Sequence, residues 1–164
     1  MKTERPTERE KYSGYACIRN NNICWDFNNE NRIQIDSDKI VVIGEYTTAE
    51  GPYIDDWFIT FVTSDGGWQS ITRYAENIQE LTKFLSDKFQ IDFNISYLTG
   101  SAKWKSIVRY PKHLEEQELF EIIPPTKEEI NESVWNQIKN TFGLLSGNIK
   151  LRSVVQSEIK NQNN

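Results

Sequence analysis

The strongest constraint on the fold of this chain is a β-hairpin signal between residues 57 and 73. Residues 57–63, WFITFVT, are rich in β-branched and aromatic side chains, and residues 68–73, WQSITR, form an alternating run. The four residues between them, SDGG, contain an Asp-Gly step that is typical of a tight turn between antiparallel strands. Because both faces of the first arm are apolar, we expect that strand to lie inside a sheet rather than at its edge.

Further short apolar runs predict more strands on both sides of this hairpin. These predicted strands cover residues 15–18, 23–27, 32–35, 39–46, 104–110 and 119–123. Asn20-Asn21-Asn22 and Asp36-Ser37-Asp38 supply turn residues in the first part of the chain. Pro111 and Pro124 end the last two strands, because proline disrupts a strand ladder.

Two amphipathic helices are also predicted, each opened by a capping signal. Asn77 is expected to cap a helix that runs to residue 89, with Glu80 reaching back to it. Thr126 begins a similar pattern for a helix that ends at Gly143. Residues 149–159 fit a short final helix better than a strand. This order of elements predicts an α+β fold, a mainly antiparallel sheet of about five to seven strands with two or three helices packed on it.

The 164 residues correspond in length to one domain, and an aromatic content of 12% argues against disorder. Residues 1–11 mix charges of both signs without an apolar run, so we expect a mobile N-terminal arm rather than a secretory signal. Residues 12–160 are predicted to form a single α+β domain, and residues 161–164 a frayed tail. No apolar stretch approaches the length of a membrane helix, so a cytoplasmic protein without a membrane partner is expected.

An acidic segment is the first candidate for function. Residues 115–132 contain seven Glu against one Lys, in a chain of net charge −5. Such a segment can dock a basic protein, or it can be a solvated loop and the first turn of a helix, whose dipole favours acids. The half-exposed aromatic expected beside the hairpin turn can serve as an interface anchor. The candidate partner-binding residues are Glu115, Glu116, Glu118, Glu121 and Trp68.

A second candidate is a carboxylate group at the entrance of the 57–63 strand. Asp55 and Asp56 are adjacent acids, and Glu45 can join them if its strand pairs with that strand. Carboxylates in such a cluster bind divalent metal ions or share a proton. The alternative is that acids beside Gly51-Pro52 are turn and cap residues.

The remaining chemistry-bearing residues favour plain structural interpretations. His113, the single histidine, follows a proline in a polar loop, without the sequence of a nucleophile elbow. The C-x6-C spacing of Cys17 and Cys24 favours two reduced side chains over a zinc site or a disulfide. Lys103, Lys105 and Arg109 share one face of a predicted strand, but the acidic net charge disfavours nucleic acid as a partner.

These observations favour a non-enzymatic cytoplasmic protein-binding domain that docks a basic protein through an acidic surface. No cofactor is expected. The general profile resembles that of many bacterial accessory, immunity or antitoxin proteins, and this resemblance is one of type rather than of motif. The alternative is a small metal-assisted hydrolase or small-ligand-binding domain that uses Glu45, Asp55 and Asp56.

Overall fold

The structure is a computed structural model that describes residues 13–48, 56–94, 98, 104–123 and 148–163. Within these residues lie nine β-strands and two α-helices, besides two short 3-10 turns. The elements are β1 (Tyr15–Arg19), β2 (Asn22–Phe27), β3 (Glu30–Asp36), β4 (Ile40–Thr47), β5 (Trp57–Thr63), β6 (Trp68–Thr72), α1 (Ile78–Phe89), β7 (Lys105–Tyr110), β8 (Phe120–Ile123), β9 (Asn148–Leu151) and α2 (Ser153–Gln162).

The central element is a four-stranded antiparallel sheet in the order β6-β5-β4-β7. The predicted hairpin of β5 and β6 is present, and β5 lies between β6 and β4, as its two apolar faces indicated. In β4, alternate side chains point to opposite faces of the sheet, yet nearly all of them are buried. Both faces of this sheet are therefore covered.

The first cover is a three-stranded sheet, β1-β2-β3, together with α1. Two-residue turns join its strands, and the turn residues Asn20, Asn21, Asn28 and Asn29 all have a positive φ. This is the backbone of the type I′ turn, which matches the twist of a hairpin and which asparagine tolerates. We call the apolar contacts on this side the helix-side core, which includes Ile23, Ile43, Phe61, Leu81 and Leu85.

The second cover consists of β8, β9 and α2, which pack on the opposite face of the central sheet. We call these contacts the C-terminal core; it includes Val42, Val62, Leu119, Phe120 and Val155. The final segment is thus a strand followed by a helix, rather than the helix alone that its spacing favoured. The predicted helix after Thr126 lies outside the described residues, as does Trp135.

The α+β class is confirmed, but the strand count is wrong. The nine described strands form three antiparallel sheets of four, three and two strands, instead of one sheet of five to seven. The difference arises because the strands at each end of the chain pair among themselves and then pack across the central sheet. Within the described residues, neither helix combines the length and the apolar character that crossing a bilayer requires.

The start of α1 also differs in detail from the prediction. Asn77 has a φ of 64°, and its side chain makes no capping hydrogen bond to the first-turn amides. Its Nδ2 instead donates to Glu80 Oε2 at 2.6 Å and to the carbonyl of Ala16 at 3.1 Å. The side-chain amide of Asn77 reaches Ala16 because the preceding residue, Glu76, pairs with the backbone of β1. The helix itself lies where it was predicted.

Candidate functional site

An open cleft of about 450 Å³ lies between the three-stranded sheet and the β5–β6 hairpin. We call it the hairpin cleft. Its lining includes Asn22, Gln34 and Asp36 from β2 and β3, and Asp65 and Trp68 from the hairpin. Asn22 and Asp36 are partners across the β2–β3 ladder, so the register of that ladder fixes one wall. The turn between β5 and β6 fixes the other.

The carboxylate of Asp65 is held in the cleft by its own turn. Asp65 Oδ1 accepts hydrogen bonds from the Thr63 hydroxyl at 2.6 Å and from the backbone N–H of Gly67 at 3.0 Å. Both hydrogen bonds lower the pKa of Asp65, and the bond from Thr63 has the larger effect. The nearby Lys39 lowers this pKa further. Asp65 is therefore ionised at neutral pH. Because both bonds use Oδ1, Oδ2 keeps its capacity to accept from a ligand.

Asp36 brings a second carboxylate to the cleft. Its Oδ1 accepts from the backbone N–H of Asp38 at 3.0 Å and so caps a 3-10 turn. Neither Asp36 nor Asp65 forms an ion pair with another described residue. Lys39 also lines the cleft, so its described charged lining residues carry a net charge of about −1.

Trp68 is half-exposed, as predicted, with 37% of its surface open to solvent. One side of its ring contacts Phe120, with ring centroids 4.8 Å apart. The contact with the C-terminal core fixes the ring while leaving the rest of it accessible. A fixed, half-exposed tryptophan beside a cleft has the properties of an interface anchor.

The described part of the acidic segment, residues 115–123, follows the turn after β7 and includes β8. Glu116 and Gln117 hydrogen-bond to the backbone of Val108. Three of the segment's four described glutamates are paired within the chain. The ion pairs are Glu115 with Lys112, Glu118 with Arg152, and Glu121 with Lys150 at 2.8 Å and Arg152 at 3.6 Å. Glu116 is exposed, with a φ of 69°. Two of the three basic partners come from residues 150 and 152, far along the chain, so the local charge count missed them.

A buried polar centre lies on the helix side of the central sheet. Glu45 is 1% exposed, and its Oε2 accepts from the guanidinium of Arg109, which is 3% exposed. The register skips Arg109, because Ile43 pairs with Tyr110 and Gly44 with Val108. A bulge of this kind redirects a side chain. Arg109 is therefore an interior residue and not part of a basic surface stripe with Lys105.

A second arginine completes this centre. Arg73 Nε lies 3.8 Å from Glu45 Oε1, and its guanidinium stacks 4.7 Å from the ring centroid of Trp57. Both arginines also lie 5.3 Å from the ring of Phe93. Burial lowers the pKa of Arg73, with Glu45 opposing that effect and Arg109 adding to it. The aromatic faces and Glu45 together stabilise the two cations, the buried Arg109 and the half-buried Arg73.

The carboxylates of the metal alternative have other partners in this structure. Glu45 is bound to Arg109, and Asp56 Oδ1 accepts from the Tyr74 hydroxyl at 2.8 Å. Asp55 lies outside the described residues. Two arginines beside Glu45 are unfavourable neighbours for a bound cation. In the part of the chain that the structure describes, no group of three or more His, Cys, Asp or Glu side chains is arranged to hold a metal ion.

His113 has a structural contact that the sequence did not indicate. Its side chain is 62% exposed, in agreement with a surface loop position, and its Nε2 lies 3.0 Å from Glu158 Oε2. Glu158 is a residue of α2, so this contact fastens the C-terminal helix to the turn after β7.

The fold and the cleft define an α+β protein whose central antiparallel sheet is covered on both faces and whose side carries an open, acidic-lined cleft. No family model matches this sequence, and comparisons with curated proteins and with solved structures find no significant match. The function is therefore argued from the geometry of the site.

Proposed function

We propose that this chain is a protein-binding domain that receives a basic side chain of its partner in the hairpin cleft. The observation that supports this most directly is the pair of carboxylates, Asp36 and Asp65, that line the cleft together with the half-exposed Trp68. Carboxylates bind a guanidinium or ammonium group by charge-assisted hydrogen bonds.

The dimensions of the cleft agree with this proposal. A volume of about 450 Å³ is within the usual range for small-molecule sites, so the cleft has room for a long side chain. Trp68 stands beside the cleft and is held by Phe120, so little ordering of the ring is needed when a partner binds.

The acidic segment has a secondary part in this proposal. Glu115, Glu118 and Glu121 already pair with basic residues of the same chain, so a partner would have to displace those contacts. Exposed ion pairs are weak, and the segment still contributes to attracting a basic protein over longer distances. We assign the close contacts to the hairpin cleft.

In this proposal the chain acts without catalysis and in the cytoplasm, in the manner of a bacterial accessory, immunity or antitoxin protein. Cys17 and Cys24 are both free thiols, which is the usual state of cysteine in a reducing compartment.

The experiment uses four immobilised proteins: the wild type, Asp65→Asn, Trp68→Ala and the control Glu30→Gln. A lysate of the native host is passed over each one, and the proteins that are retained are identified and quantified by mass spectrometry. Glu30 is an exposed carboxylate outside the lining of the cleft. We expect a basic protein to be retained by the wild type and by Glu30→Gln, and to be released by salt.

For that retained protein, we expect Asp65→Asn and Trp68→Ala each to weaken binding by a factor of about ten or more, measured by titration calorimetry. Equal affinity of all four proteins would show that the hairpin cleft is not the docking site. Charge reversal of Glu115, Glu116 and Glu118 then tests the acidic segment separately. A loss of affinity only in that triple variant would return the binding site to that segment.

A further inference from the structure

The two cysteines of the chain are brought together by the register of the first hairpin. Cys17 on β1 and Cys24 on β2 are direct partners in the antiparallel ladder. Both are buried, with exposures of 8% and 1%, and both are free thiols. The C-x6-C spacing alone did not require this pairing.

The geometry of the ladder suits a disulfide. Arg19 and Asn22 are partners that close the two-residue turn, and Cys17 and Cys24 lie two positions further along the same ladder. Directly opposed residues in an antiparallel pair have Cα atoms about 4.5 to 5.5 Å apart. Disulfides span Cα separations of about 4.4 to 6.8 Å, so this register is compatible with the bond.

The cysteines lie on the outer face of their sheet. Ile23 and Trp25 of β2 contact the helix-side core, and alternation along the strand directs Cys24 to the other face. The neighbouring groups on that face are Arg19 and Asp26, which form an ion pair. The Arg19 side chain is 51% exposed. The Asp26 side chain is 18% exposed, so the pair is only partly open to solvent. Access of a small oxidant to the sulfur atoms requires this weak pair to open.

We propose that Cys17 and Cys24 form a reversible disulfide by exchange with a low-molecular-weight disulfide such as oxidised glutathione. The thiolate of one cysteine attacks a sulfur of the oxidant, forming a mixed disulfide and releasing one reduced thiol. The second cysteine then attacks the protein sulfur of the mixed disulfide and releases the second thiol. The protein loses two electrons and two protons, and the oxidant becomes two thiols.

The pair is adjacent to residues of the hairpin cleft. Cys24 is the ladder partner of Gln34, and its Sγ donates to the carbonyl of Asn22 at 3.8 Å. Both Gln34 and Asn22 line the cleft. Oxidation removes the S–H donor of Cys24, so the hydrogen bond to Asn22 in the wall of the cleft is lost. The formation of the disulfide does not depend on the proposed binding function.

The chain offers a clean test, because trypsin sites separate the two cysteines. Cleavage after Lys11, Arg19 and Arg32 places Cys17 in the peptide 12–19 and Cys24 in the peptide 20–32. The full-length protein is equilibrated with oxidised and reduced glutathione, its remaining thiols are alkylated, and the digest is analysed by mass spectrometry. We expect peptides 12–19 and 20–32 to be joined, the monomer to lose the mass of two hydrogens, and excess reduced glutathione to reverse the change.

Cys17→Ser and Cys24→Ser are the matched controls, and each should yield only a mixed disulfide with glutathione or no change. Two alkylated cysteines in the wild-type protein after oxidation would overturn the proposal, as would a product made only of mixed disulfides or of linked dimers. Circular dichroism of the oxidised and reduced proteins checks that the joined peptides come from folded chains. A disulfide that forms only in urea would also count against it.

Discussion

At the scale of single residues, Glu45 holds a charge that has almost no access to water. Removing its carboxylate leaves the buried Arg109 and the half-buried Arg73 without their acidic partner, in contact with apolar and aromatic side chains. We expect Glu45→Ala to lower the free energy of unfolding by about 3–5 kcal/mol, which is the usual cost of removing one partner of a buried ion pair. Urea unfolding followed by circular dichroism measures it.

Glu30→Ala is the control for Glu45→Ala. Glu30 pairs with Arg32 at 2.6 Å, but both side chains are at least half exposed. Its removal should cost less than about 1 kcal/mol. If the two substitutions cost the same, the environment of Glu45 is more solvated than the structure indicates.

Gly44 is required for the close packing of β4 against β7. A Cβ at this position would lie 2.6 Å from the carbonyl oxygen of Ile107 and 2.6 Å from Leu119 Cδ2. The oxygen belongs to the neighbouring strand, so it cannot move without disturbing the ladder. We expect Gly44→Ala to lower the free energy of unfolding by about 1–3 kcal/mol, as overpacking does in other cores.

The control for this substitution is Gly67→Ala, in the exposed hairpin turn. The nearest atom to a Cβ there is Asp65 Oδ1 at 3.3 Å, and that carboxylate belongs to an exposed side chain. Its effect on thermal unfolding should be smaller than that of Gly44→Ala. A reversed order would show that the β4–β7 contact relaxes more easily than the turn.

At the scale of elements, α1 is tied to the first hairpin by a polar network around Lys88. Lys88 Nζ donates to Asp38, to Ser37 Oγ at 2.7 Å and to Asn21 Oδ1 at 3.1 Å. The hydrogen bond from Lys88, followed by that from Asn21, lowers the pKa of Asp38. The ion pair with Arg19 lowers the pKa of Asp26 in the same way.

These shifts determine how stability depends on pH. A carboxyl group with a lower pKa in the folded than in the unfolded chain stabilises the fold at pH above its unfolded value, about 3.9 for aspartate. This stabilisation is lost as the pH falls through the folded value. We therefore expect the free energy of unfolding to change little between about pH 5 and pH 8 and to decline below about pH 4.

Lys88→Met provides the measurement that assigns part of this decline. Without the ammonium group, the pKa of Asp38 should return toward its ordinary value, so the slope of stability against pH in the acid range should become shallower. Urea unfolding at several pH values compares the variant with the wild type. Parallel curves would show that the Lys88 network contributes nothing to acid sensitivity.

The elements that the sequence predicted are those determined by neighbouring residues. The Asp-Gly turn defined β5 and β6, and the apolar spacing defined α1. Contacts between distant segments were beyond such patterns: the pairing of Glu118 with Arg152 depends on β8 lying beside β9, and that of Glu45 with Arg109 depends on a bulge. The register of β1 and β2 likewise brings Cys17 and Cys24 together.

The candidate site was predicted only in part for the same reason. Trp68 was identified because it follows a turn, which is a local feature. Asp36 and Asp65 looked like ordinary turn residues, and each does have a turn hydrogen bond. Their common cleft exists only because the three-stranded sheet packs beside the hairpin. The acidic segment was conspicuous in sequence, but its basic partners were not.

At the scale of the whole molecule, the central sheet belongs to two cores at once. Val42 and Ile43 are adjacent in β4, and Val62 and Phe61 are adjacent in β5, yet in each pair one side chain contacts the C-terminal core and the other the helix-side core. A strand cannot lose one face and keep the other intact, because both faces share one hydrogen-bonded backbone. The two cores should therefore unfold together.

Leu81→Ala tests this coupling. Leu81 is fully buried in the helix-side core, so the substitution should lower the free energy of unfolding by about 2–5 kcal/mol. Hydrogen exchange measured by mass spectrometry should then accelerate in β8 and β9, on the opposite face, as much as in the slowest-exchanging amides of the central sheet. Thr82→Ala, on the same helix but only half-buried, is the control. Unchanged protection of β8 and β9 in Leu81→Ala would mean that the C-terminal core unfolds independently.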